Sequence, residues 1–191
     1  MSTLITRIHN NVFNAVHQHL HTWFPGLFAR IVFAGVLLVY YLHSAKTKVG
    51  DGFAGFFQID DAAYFQIIPT VVEQFDYDAS QIPLVPYKLI VYAGSYAEFI
   101  LPILIVIGLF TRLAAVGMLV FVVVQSVVDV IGHHVDAETL GSWFDRFSDA
   151  AILDQRAMWS VLLVYLIIYG AGKVSIDHWL SSKEPGSTNS A

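Results

Sequence analysis

Apolar positions along this chain neither alternate nor form a narrow stripe; four times they run on for roughly the thickness of a lipid bilayer. The first run, FPGLFARIVFAGVLLVYYLHSA, covers Phe24 to Ala45. The second covers 87–110 and the third Leu113 to about Gly132, parted only by a tight turn at Thr111-Arg112. A fourth is apolar from Met158 to about Gly172 and extends as a helix over about 158–176. Only helices and closed barrels satisfy their backbone in hydrocarbon, and runs this long without period-two alternation exclude the barrel. The pattern therefore predicts an all-α fold, an integral membrane four-helix bundle with short amphipathic interfacial helices.

The flanks read differently. In residues 1–23, Leu4, Ile5, Ile8, Val12 and Val16 recur at helical spacing beside polar neighbours, which predicts an interfacial helix. That stretch has neither the apolar core nor the small-residue site of a removable signal peptide. Between Lys46 and Pro86, GDGFAGF precedes DDAAYFQIIPTVVEQF; Asp60 or Asp61 is expected to cap a short helix that Pro69 kinks. A second short amphipathic piece, SWFDRFSDAAIL, precedes the fourth run, and the tail SSKEPGSTNSA has a disordered composition. The expected organisation is an interfacial segment (1–23), a four-span membrane domain (24–180) and a polar tail (181–191).

Composition sharpens this. The 191 residues are 56% hydrophobic and 13% charged, about half the charge of a soluble domain. Ten basic residues scattered singly, with a net charge of -5, give no nucleic-acid footprint. The absence of Cys excludes disulfides, thiolate metal sites and Cys-based redox centres. With four spans the termini share a side, and basic residues divide evenly between the two faces. The short turn bearing Arg112 and the acidic longer loops favour cytoplasmic termini in a bacterial inner membrane.

Candidate chemistry is sparse. Glu98 lies near the middle of the second run, where a carboxylate is costly unless paired, solvated or protonated. It reads either as a proton-handling or quinone-contacting group, or as a structural partner of Arg30 or of a hydroxyl on Tyr92 or Ser95; both readings stay open. Arg30 either faces the interior or snorkels to headgroups. Gln125, Asp129 and His133 share one stripe of the third run, with His43 and His134 at similar depth. His43, Asp129, His133 and His134 are thus candidates for a divalent metal, although solvated helix ends are the expected outcome. No haem is expected. On the fourth run, Tyr165, Tyr169 and Lys173 form a stripe that could pack a quinone ring or simply a neighbouring helix.

The stretch YAEFILPILIVIGLFTRLAA (96–115), with its glutamate and "GL-x-TR" turn, resembles the DoxX family of membrane proteins. GAGKVSIDHWL (170–180) is similar to that family's closing G-x-G-x-x-S-x-D segment, and Arg30 with Lys46 or Lys48 to its arginine and lysine. FSDAAILDQRAMW also looks like DoxX proteins encoded beside metal-responsive, peptide-modifying enzymes. The resemblance implies the four-span fold and a link to a membrane oxidoreductase or to a stress or metal response, with a quinone as the implied cofactor and membrane lipid and an oxidoreductase or other membrane protein as partners. Alternatives are a non-catalytic anchor or assembly partner for a soluble enzyme, and a carrier of a small solute or metal.

Overall fold

A computed structural model describes residues 2–183. Four of its helices are long and apolar enough to cross a membrane: Phe24–Lys46, Leu84–Ile107, Thr111–Gly132 and Ala151–Tyr169, hereafter spans one to four. No β-strand occurs among the described residues beyond an isolated bridge between Val49 and Ile59. Span three packs against spans two and four, and span one against span two. Their shared core is built from Phe33, Leu37, Tyr41, Ile105, Met118, Val122, Leu163 and Leu166. Outward-facing Val36, Val39, Leu113, Val120, Val123, Val161 and Ile168 are exposed in the isolated chain. They form the surface that lipid covers.

The fourth span departs from the apolar run. It starts at Ala151 rather than Met158 and stops at Tyr169 rather than 176. Its first turns, AILDQR, contain three polar residues and so do not read as a span, but Arg156 is buried against span three. At the other end Gly170 takes φ 75°, which breaks the helix, so Lys173 does not continue the stripe of Tyr165 and Tyr169. Trp159 sits within the bundle, its ring against those of Tyr40 and Tyr41.

Outside the spans, Ser2–Leu20 forms one helix with Leu4, Ile5, Ile8, Val12 and Val16 exposed. Between spans one and two, Asp60 caps Asp61–Ile67 by accepting from the Ala62 amide. Pro69 does not kink that helix; with Ile68 out of helical geometry it opens a second one, Pro69–Gln74. Ala63, Tyr64, Val72, Ala79 and Ile82 pack with Val91, fastening this connection to the first turns of span two. Burial, helped by Tyr92, pushes the Tyr64 phenol up to about 12. The exposed Asp78 carboxyl is held below its ordinary range chiefly by Ser80, and that of Asp136 by the Thr139 amide. The part of the polar tail from 184 onward lies outside the described residues.

Candidate functional site: a crevice beside a buried ion pair

Glu98 is buried, and its partner is Lys48, not Arg30: Lys48 Nζ lies 2.8 Å from Glu98 Oε2, with the two side chains 4% and 5% exposed. Span two runs antiparallel to span one, and helical side chains lean toward their own N-terminus. Glu98 therefore points toward the end at which span one finishes. Lys48, just past that end, folds its stem back so that Nζ also donates to Ser44 O (3.2 Å) and Ser44 Oγ (2.8 Å). The three ammonium hydrogens thus have three acceptors. Ser44 Oγ in turn reaches Glu98 Oε1 at 3.4 Å. Pro102, inside span two, has no amide hydrogen to donate to the carbonyl of Glu98 four residues earlier.

The pair opens onto a cavity of about 570 Å³ between spans two and three. Small residues make the room: Ala93, Gly94 and Ala97 on span two face Gly117 on span three. Leu101, Val120, Phe121 and Val124 supply apolar walls, while Ser44, Lys48, Glu98, Gln125 and Asp129 gather polar groups. Gln125 donates to Tyr40 Oη (3.0 Å) and accepts from Tyr41 Oη (3.4 Å), which locks its amide to span one. The remaining acid, Asp129, is held by Arg156 at 2.5 Å, and Arg156 also donates to Ser126 Oγ at 3.0 Å. Two acids on adjacent spans thus each have a base from a different element.

Of the other candidates, His133 also lines this cavity. His133 Nε2 is 3.1 Å from the Gln66 carbonyl, tying span three to the connecting helix. His43 and His134 are exposed. No group of three or more His, Cys, Asp or Glu stands close enough to hold a metal among the described residues, and Asp129 is committed to Arg156. Tyr165 and Tyr169 stack at 4.8 Å on a groove beneath the N-terminal helix, apart from Glu98.

Arg30 works at the opposite end of the bundle. It is buried and donates to the carbonyls of Val106 (2.9 Å) and Val174. Beside it, Asp177 accepts from the amides of Phe110 (2.6 Å) and Thr111 (2.9 Å), the orphan donors at the start of span three. The Asp177 amide donates back to Gly108 O at 2.8 Å. The turn between spans two and three is thus Gly108–Phe110 rather than Thr111-Arg112, and the segment after span four closes over it. Two stretches that read as separate motifs interlock here, and Asp177 caps the start of span three.

Sequence reading missed Ser44 and Arg156 as site residues and Lys48 as the partner of Glu98. The available signal was electrostatic: two acids inside the second and third apolar runs need two bases, and Lys48 and Arg156 stand just outside the first and fourth.

The architecture and the buried pair define a multi-pass helical membrane protein. The DoxX family model matches residues 26–129, which is more than half of the chain, so the protein belongs to the DoxX family. That match includes Glu98, Lys48 and Arg30 but not span four or Asp177. Among curated proteins and among solved structures, nothing matches the chain.

Proposed function

We propose that this protein is a subunit of a membrane oxidoreductase system, and that its crevice between spans two and three receives a quinone-type ring. The observation that carries this is the Lys48–Glu98 pair, buried yet opening on an apolar slot lined by small residues. The donor set suits such a ring. The slot admits a flat apolar body, and Gln125, whose amide nitrogen gives one hydrogen to Tyr40, has a second as donor for a carbonyl oxygen. A bound quinone supplies two-electron chemistry. The chain's part is to orient the ring, exclude water and move a proton between Glu98 Oε and the outer face through Ser44. With no Cys in the sequence, the electrons travel on a cofactor or through a partner protein.

The test is a thermal titration of the purified protein in mild detergent with a short-chain quinone. At a hundredfold excess over Kd, binding to the folded state alone stabilises by about 2.7 kcal/mol. Ala97→Phe, which fills the slot, is expected to abolish that shift while leaving the unliganded protein folded. No saturable shift in the wild type, or an equal shift in Ala97→Phe, overturns the reading.

A second reading, an anchor for a soluble enzyme, draws on Trp143, Phe144 and Phe147, exposed on the loop before span four. A protein that binds no quinone but retains a soluble partner through that loop would favour it.

The proposed setting is a bacterial inner membrane with cytoplasmic termini. With Arg30, Lys48 and Arg156 all buried in the bundle, Lys46, Lys88 and Arg146 remain on the outer connections against Arg7, Arg112, Lys173 and Lys183 on the other side. Reporter fusions at Asp78 and Lys183 are expected to report opposite faces, with Lys183 inside; a common face contradicts the four-span topology.

A further inference from the structure

The connection leaving span one does not simply rise into water. Residues 50–58, GDGFAGFFQ, form a closed hairpin in which Gly50 N donates to Gln58 O (3.0 Å) and Phe56 N to Gly52 O (3.1 Å). Asp60 N donates to Lys48 O (3.0 Å) across its base. The tip lies along span two rather than beyond its end. Phe56 packs its ring on Tyr96 and Phe99, with centroids at 5.5 and 5.1 Å, and Tyr96 Oη donates to Phe56 O at 3.1 Å. Tyr96 and Phe99 flank Glu98 in the middle turns of Leu84–Ile107. A segment touching both is well inside the apolar reach of that helix.

From this placement we infer that the hairpin is a membrane-inserted wedge, with Phe53 and Phe57 buried in the outer part of the bilayer beside span two. Phe53 is 88% and Phe57 66% exposed in the isolated chain, and their rings meet edge to face at 5.7 Å. At this depth they continue the lipid-facing surface of the bundle. Lipid is therefore the occupant that their position selects. The amides of Gly50, Phe56, Phe57 and Gln58 have backbone acceptors inside the hairpin, which lowers the cost of taking its backbone out of water. Asp51, its one charged residue, lies near the base, where a carboxylate can reach headgroups.

The test uses the full chain in phosphatidylcholine vesicles, exploiting its lack of native Cys. Single variants Phe53→Cys, Phe57→Cys and Glu73→Cys carry a nitroxide label; all three positions are exposed, so folding is preserved. Relaxation by dissolved oxygen is compared with relaxation by a water-soluble nickel complex. The ratio of oxygen to nickel accessibility is expected to be severalfold higher at 53 and 57 than at 73. Equal ratios at the three sites would place the hairpin in water and overturn the inference. They would equally leave Phe53 and Phe57 as a surface for a protein partner.

Discussion

Glu98→Leu is expected to destabilise the bundle by about 3–5 kcal/mol, and Lys48→Met by a similar amount, because each leaves the other charge buried without its partner. The cost is set by the surroundings. The pair is almost wholly enclosed, Lys48 has no acceptor other than Glu98 and Ser44 in the hydrogen bonds it makes, and lipid rather than water lies outside. The double variant Lys48→Met/Glu98→Leu removes both charges together and should regain most of the loss, since an apolar replacement of a buried pair is often neutral or better. Unfolding in mixed micelles of the wild type, two singles and the double makes a complete cycle. Strictly additive losses would mean that the two side chains act independently, against the geometry. Glu98→Gln keeps the shape but cannot exchange a proton. It separates the two roles: modest loss of stability with full loss of any proton-linked activity is expected.

The second large effect is at the opposite end. Asp177→Ala is expected to cost about 2 kcal/mol, from the loss of a helix cap and of charge-assisted bonds to two amides. Both amides belong to the start of span three, and Asp177 reaches them from beyond span four. Its removal should therefore loosen the seam between two hairpins, not a single helix. Gly108→Ala should act on the same seam: its φ is +72°, and a Cβ would lie 2.7 Å from the Arg30 guanidinium and from Ser175 Cβ. Limited proteolysis near Gly108 and loss of thermal stability measure both variants. An unchanged Asp177→Ala protein would show that the carboxylate is dispensable to the turn.

These two clusters also show what could be read in the sequence. The spans were legible because hydrocarbon demands long unbroken apolar runs, and Glu98 because a carboxyl in mid-run is expensive. Its partner was not, since Lys48 lies beyond the end of the run and returns only by folding a four-carbon stem along Ser44. The same holds for span four. Asp154, Gln155 and Arg156 interrupt its apolar pattern, and only the pairing of Arg156 with Asp129, 27 residues earlier, brings that turn into the bundle. Polar residues inside a membrane are settled by long-range pairs, and spacing along the chain carries no trace of them. Asp129 shows the converse: with His133 it looked like half of a metal site, yet a cation from span four already neutralises it.

The slot beside Lys48 and Glu98 is proposed above to hold a quinone ring. Photolabelling of the protein in native-like membranes with an azido-quinone, followed by peptide mapping, tests it most directly. The account predicts label on the segments 93–101 and 117–129, competed by unlabelled quinone and lost in Ala97→Phe. Label confined to the groove of Tyr165 and Tyr169, or insensitive to Ala97→Phe, would contradict it.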